Sequence, residues 1–226
     1  MFFVAILCIL AGCGTKNENR EEFKTENTTM PDERIDVQDD RPVIVAFGNS
    51  LTEGRGVGPS LNYPAKLQMR LDAAGYAYHV VNEGVSGDTS AQGLSRTGEI
   101  VALRPDIVIV EFGANDGLRG IPIKTTHSNL EEIIGKLQTA GIQVVLAGME
   151  MPPNYGPEYT NSFREIFKSL SESMQVPLIP FLLDGVGGHP ELNQEDGIHP
   201  TAEGYDIVVE NVCKTLLPLL QSGKTG

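Results

Sequence analysis

From residue 43 onward, short wholly apolar runs alternate with amphipathic stretches. Val43-Ile44-Val45-Ala46-Phe47, Ile107-Val108-Ile109-Val110, Val144-Val145-Leu146-Ala147 and Pro177-Leu178-Ile179 have no polar face. Tyr78-His79-Val80-Val81 fits a further strand. Strands apolar on both sides belong to a parallel sheet covered by helices on both sides. Between them, Leu130, Ile133, Ile134 and Leu137 follow the helical spacing, and Gly141 is placed to end that helix. Phe163, Ile166, Phe167 and Leu170 repeat the spacing, as do Tyr205, Val208, Val209, Val212 and Leu216. Another helix is expected to begin near Pro64, after a loop. Five strands with intervening helices predict an α/β fold, a three-layer α/β/α sandwich over residues 42–222. Right-handed crossovers are expected, and a flavodoxin-like strand order of 2-1-3-4-5 is the natural expectation, with the ligand crevice at the carboxyl ends of the strands.

The N-terminus breaks this pattern. Phe2 to Leu10 is an apolar run too short to span a bilayer, followed by Leu10-Ala11-Gly12-Cys13. That ending resembles the lipobox of bacterial lipoproteins, which implies a signal peptide over residues 1–12 and a lipidated Cys13. The alternative is an ordinary secretory signal with Cys13 incidental, and no lysine or arginine precedes the apolar run. Residues 13–41 then form a tether. Its five basic residues against nine acidic ones, with few aliphatics and Pro31, cannot bury enough apolar surface to offset ordering entropy. The expected location is outside the cytoplasm, anchored by lipid to a bacterial membrane, periplasmic or at the cell surface.

Charge and cysteines narrow the partners. A net charge of −13 argues against binding a phosphate backbone, so no nucleic acid is expected. Of three cysteines, Cys8 would leave with the signal and Cys13 would carry lipid, so Cys213 has no intrachain partner. It sits in an apolar helical pattern and reads as a small buried hydrophobe. The histidines show no metal-ligand spacing, so neither a metal nor another cofactor is expected. The anticipated form is a monomer.

Four short blocks carry candidate chemistry: Phe47-Gly48-Asn49-Ser50-Leu51-Thr52, Ser86-Gly87-Asp88-Thr89, Gly113-Ala114-Asn115-Asp116 and Asp196-Gly197-Ile198-His199-Pro200. Ser50 follows a buried strand and Gly48, which would permit a tight turn. A serine hydroxyl is a poor nucleophile at neutral pH and needs an adjacent base. His199 is the candidate base, and Pro200 keeps its backbone extended. Asp196 is placed to hold the imidazole's tautomer, with Gly197 allowing the turn between them. Acyl transfer develops negative charge on a carbonyl oxygen, for which Gly87 could offer an unobstructed N–H, Asn115 its amide and Ser50 its own N–H. Losing one such donor costs about 3–4 kcal/mol in a serine hydrolase. Taken singly, each block is also a plausible turn or helix cap. Asp88 and Asp116 read as structural caps or turn residues.

Together and in order, the four blocks resemble the GDSL-type, or SGNH, hydrolase family across residues 42 to about 220. Ser86-Gly87-Asp88-Thr89-Ser90, Asn115-Asp116-Gly117-Leu118-Arg119-Gly120 and Pro153-Asn154-Tyr155-Gly156 are similar to the branch of thioesterase I, lysophospholipase L1 and bacterial arylesterases. The resemblance implies Ser50 as nucleophile, Gly87 and Asn115 as oxyanion donors, and Asp196 with His199 as the remaining pair. It also implies hydrolysis of aryl esters, lysophospholipids or acyl thioesters. By the same resemblance the loop from Met151 to Pro157, with Met151, Pro153 and Tyr155, should border the acyl pocket. One departure is Asn49, where the family more commonly has aspartate. It keeps size and an acceptor oxygen but removes a charge. Two other functions remain open on this sequence: a carbohydrate O-acetyl esterase with the same machinery, and a non-catalytic ligand-binding surface lipoprotein.

Overall fold

The computed structural model describes residues 40–220. The signal peptide, Cys13 and nearly all of the segment read as a tether lie outside the described residues. A compact unit begins at Asp40. In chain order it comprises β1 (Val43–Gly48), α1 (Ser50–Glu53), α2 (Tyr63–Ala73), β2 (His79–Gly84), α3 (Ser90–Ala102) and β3 (Ile107–Glu111). Next come α4 (Ala114–Leu118), α5 (Ile123–Thr139), β4 (Gln143–Ala147), α6 (Pro157–Met174), β5 (Leu178–Ile179) and α7 (Ala202–Leu216).

Among the described residues the strands form one all-parallel sheet in the order β2-β1-β3-β4-β5, as the apolar runs predict. Ile44 to Phe47 of β1 and Val108 to Val110 of β3 have no solvent exposure, so both sheet faces are covered there. On one face α3 packs on α5 and α5 on α6; α2 packs on α7. The chain moves outward in opposite directions from β1 to β2 and from β3 to β4. Right-handed crossovers therefore put α2 and α5 on opposite faces. The apolar stripe of α5 (Leu130, Ile133, Ile134, Leu137) is fully buried. Cys213 is buried in α7 at 3% exposure, in keeping with a small hydrophobe.

Helix starts follow from local chemistry. Asn62 caps α2 by accepting from the Ala65 N–H at 2.9 Å, with Pro64 in the first turn. Thr89 and Gln92 form a capping box on α3. Thr201 accepts from the Gly204 N–H at the start of α7.

Register decides where the function sits. Gly48 at the end of β1 pairs with Gly84 of β2 on one side and Glu111 of β3 on the other. The loops carrying Ser50, Gly87 and Asn115 therefore leave the sheet from three aligned strand ends, on one carboxyl edge.

Candidate active site

Ser50 is the first residue of α1, a single helical turn that opens directly from β1. Asn49 caps this turn, its side-chain oxygen accepting from the Leu51 N–H at 3.0 Å. As first residue, Ser50 has an N–H for which the helix itself supplies no acceptor. Gly48 is needed for close approach rather than for an unusual φ: a Cβ there would lie 2.1 Å from Thr52 Oγ1 and 2.5 Å from Glu111 Oε2. The tight-turn expectation for Gly48 is corrected accordingly.

Behind the serine lies a buried polar cluster. Glu111, fully buried, accepts from the Asn49 N–H at 3.1 Å, the Asn49 amide at 2.7 Å and the Thr52 hydroxyl at 2.9 Å. Thr52 Oγ1 lies 3.3 Å from the Tyr63 hydroxyl, and burial pushes that phenol well above its ordinary pKa. Burial also raises the Glu111 carboxyl to about 7, opposed by the hydrogen bonds from Asn49 and Thr52. The departure at Asn49 thus has a local meaning. Its amide gives a donor to a buried acid, where an aspartate would bring a second carboxylate.

His199 arrives from the loop before α7 and is 4% exposed. Its Nε2 lies 2.8 Å from Ser50 Oγ, and its Nδ1 lies 2.6 Å from Asp196 Oδ2. The other carboxylate oxygen, Asp196 Oδ1, accepts from the Ile198 and His199 N–H groups, each at 3.1 Å. Burial would raise the Asp196 carboxyl, but the His199 ring, the two N–H donors and the imidazole's charge outweigh it and hold the pKa down to about 2. An ionised Asp196 fixes the proton on Nδ1, which leaves Nε2 free to accept from the serine.

Gly87 adopts φ 87°, in the left-handed region, and its N–H is the group of interest. A Cβ at Gly87 would meet only Arg119 Nη2 at an ordinary 3.5 Å, so φ, more than space, asks for glycine. Asn115 lies in α4, a short helix, rather than in the strand-end turn that the pattern suggests. Its Nδ2 donates to the Asp88 carbonyl at 2.9 Å, which uses one of two amide hydrogens and leaves the other for a ligand. Asp116 accepts from the Ser90 N–H at 2.8 Å and from its hydroxyl, joining α4 to the start of α3 as a structural residue. Asp88 pairs with Arg96 at 2.8 Å.

The Met151–Pro157 loop divides. Met151 is only 6% exposed, because Gly117 of α4 leaves room for it: a Cβ on Gly117 would fall 2.3 Å from the Met151 sulfur. It is packed under α4, two residues from Asn115, and is less of an open wall than expected. Pro153 and Tyr155 are exposed, with the Tyr155 ring stacked on Tyr159 at 5.9 Å and Tyr159 on Phe163 at 6.2 Å. Glu111 and Arg96 escaped the sequence reading. The usable signal for Glu111 was an acid wedged between Ile107–Val110 and Phe112, apolar on both sides; Arg96 left none, since a lone arginine on a helix reads as solvated.

Known proteins supply the family. The GDSL-like Lipase/Acylhydrolase family matches residues 46–207, which include all four blocks. Esterase TesA of Pseudomonas aeruginosa is 40% identical over 178 residues, 78% of this chain and 89% of that protein. A crystal structure of TesA superposes with a TM-score of 0.77, at 40% identity, covering 79% of this chain and 99% of the other. The arylesterase of Vibrio mimicus is 37% identical over 77% of this chain and 88% of its own length. Thioesterase 1/protease 1/lysophospholipase L1 of Escherichia coli K12 is 34% identical over 78% of this chain and 84% of its own. A five-stranded parallel sheet, a serine at its central carboxyl edge and these relatives make one conclusion: the chain belongs to the GDSL-like lipase/acylhydrolase family and is a serine ester hydrolase.

Proposed function

We propose that Ser50, His199 and Asp196 carry the hydrolysis, and that the N–H groups of Ser50 and Gly87 with the Asn115 amide stabilise the oxyanion. The observation that carries this is the continuous relay from Ser50 Oγ to His199 Nε2 at 2.8 Å and from Nδ1 to Asp196 at 2.6 Å. The Ser50 hydroxyl gives its proton to Nε2 while the oxygen attacks the acyl carbon. The carbonyl oxygen takes the negative charge and meets the three donors. Collapse expels the alcohol or thiol, which receives the proton from the imidazolium. Water then attacks the acyl-enzyme with the same base and releases the acid.

The substrates in this reading are aryl esters, lysophospholipids or acyl thioesters, the activities named for the relatives. Tyr155 and Pro153, together with the buried Met151, supply the apolar side of the acyl site. The cell-biological part of the reading is export with a lipid on Cys13, motivated by Leu10-Ala11-Gly12-Cys13. Radiolabelled palmitate incorporated by the full chain but not by Cys13→Ser checks it; equal labelling of both removes it.

The test of the catalytic reading is Ser50→Ala assayed on p-nitrophenyl esters of increasing acyl length. Expected is a loss of kcat on the order of 10⁴-fold or more with the fold retained by circular dichroism. A folded Ser50→Ala that keeps wild-type turnover overturns it. In the wild type, activity extending to medium chains supports the apolar acyl site, and a sharp optimum at acetyl counts against it.

A further inference from the structure

Arg96 lies seven residues beyond the Thr89 cap of α3, on the face turned towards the sheet. Three residues earlier, Gly93 packs directly on the Phe112 ring, where a Cβ would come within 2.7 Å of ring carbons. That close seat lets the Arg96 side chain reach back under the active-site loops. Its guanidinium lies 4.4 Å from the Phe47 ring centroid and 5.6 Å from that of Phe112, two rings that themselves meet edge-on at 4.8 Å. From there it points two donors in different directions. Nη2 donates to the Gly48 carbonyl at 2.8 Å, and Nε donates to Asp88 Oδ2 at 2.8 Å.

These acceptors flank the two backbone donors of the oxyanion site. Gly48 lies two residues before Ser50, and Asp88 directly follows Gly87. The third donor reaches the same loop, since the Asn115 amide holds the Asp88 carbonyl. Asp88 is therefore the residue at which all three arms meet, and Arg96 connects it to the nucleophile strand. Both side chains are nearly closed off from water, at 14% and 10% exposure, so the pair is little screened. A lysine could supply a charge but neither the planar fork nor the ring stacking.

We infer that Arg96 is a positioning residue for the oxyanion donors, fixing the spacing between the N–H groups of Ser50 and Gly87 while touching no substrate itself. The inference rests on the catalytic reading above. Its consequence is specific. Loosening Arg96 should weaken the transition state more than substrate binding, because the donors are aimed at a charge that develops only there.

The experiment is a double-mutant cycle between Arg96→Lys and Asn115→Ala, with kcat and KM measured on one p-nitrophenyl ester and folded fraction on the same samples. Arg96→Lys should lower kcat about 10–100-fold, the range a displacement near 1 Å can cause. Its KM should change less than about threefold. Asn115→Ala alone should cost about 10²–10³-fold. In the Arg96→Lys background it should cost at least about fivefold less, because that donor is already misplaced. Multiplicative losses, or Arg96→Lys folded with more than half the wild-type kcat, overturn the inference. Should Arg96→Lys not fold, Asp88→Asn removes only the far arm. A kcat loss of about 3–10-fold at unchanged KM supports the role, and unchanged kcat overturns it. Ser50→Ala in the same assay separates the two layers: if it stays active, the catalytic reading has failed, whereas an inert Ser50→Ala beside fully active Arg96 variants sinks this inference alone.

Discussion

Ser50 and His199, the proposed nucleophile and base, meet at 2.8 Å, yet they are held by different means. Residues 48–52 are tied to the rest of the molecule from four directions. Glu111 of β3 accepts from Asn49 and Thr52, Asn82 of β2 donates to the Thr52 carbonyl at 3.0 Å, Tyr205 of α7 donates to the Leu51 carbonyl at 3.0 Å, and Arg96 of α3 donates to Gly48. The ties from Glu111 and Tyr205 are buried and the other two half-buried, and each comes from a different element. The loop carrying Asp196 and His199 is held largely by its own atoms: the Gln194 N–H donates to the His199 carbonyl at 2.7 Å, and Asp196 folds back on the two following N–H groups. Its aspartate side chain is 42% exposed. Packing fixes the serine, whereas local turn chemistry aims the base.

That contrast separates activity from stability. Asp196→Asn should cost the most activity of the changes that test it, about 10³–10⁴-fold in kcat, because an amide does not enforce the Nδ1 proton. Since the side chain is partly exposed and its turn bonds survive on the amide oxygen, the melting temperature should move by no more than about 2 °C. A fall of kcat below tenfold in enzyme assays, or a large drop in melting temperature by calorimetry, would show that the aspartate holds the loop rather than the tautomer.

On the serine side the sensitive quantity is stability against pH. Glu111 has its carboxyl raised to about 7 by burial, above the ordinary value of 4.5. The folded protein therefore binds that proton more tightly than the unfolded chain. The stabilisation is complete below about pH 4.5 and is lost as pH rises through about 7. Asn49→Asp would put a second carboxylate where the amide now donates to Glu111 at 2.7 Å. Two acids so close retain one proton to higher pH, so the loss should continue above pH 7 in the variant. Each unit by which the pair's upper pKa exceeds that of Glu111 should add about 1.4 kcal/mol to the loss at high pH. Urea denaturation at about pH 5, 7 and 9 reads it out: the two proteins should diverge with rising pH, and parallel curves would refute the pairing.

The same division explains what was legible in the sequence. β1, β3 and β4 were readable because burial on both faces leaves no polar residue within their cores, and the stripes of α5, α6 and α7 because each runs for several turns. α1 and α4 are single turns of four and five residues, too short to show a period, so Ser50 and Asn115 read as residues of turns. Asp196 and His199 stood out because their chemistry is local, with two residues between acid and base. Glu111 did not, because its partner Asn49 lies 62 residues away in sequence, and neither did Arg96, whose tie to Gly48 spans 48. Long-range polar contacts leave little local pattern; only register brings Glu111 beside Gly48.

Gln194 offers the smallest and most discriminating change. Its amide donates to the Arg55 carbonyl at 2.7 Å and to the Pro200 carbonyl at 2.9 Å, linking the base loop to the segment that follows the nucleophile helix. The side chain seats over Gly56, where a Cβ would strike its oxygen at 2.0 Å. Gln194→Ala removes that link without touching Ser50, His199 or Asp196. If local turn bonds do most of the aiming, kcat should fall only about 3–10-fold, a modest loss of alignment. Amide exchange at Ile198 and His199 should speed up while the β1 and β3 amides stay protected, since the opening is local. A loss beyond about 100-fold would mean that the base loop depends on its long-range tie as heavily as the serine does on Glu111. The difference between the two halves of the site would then be one of exposure alone.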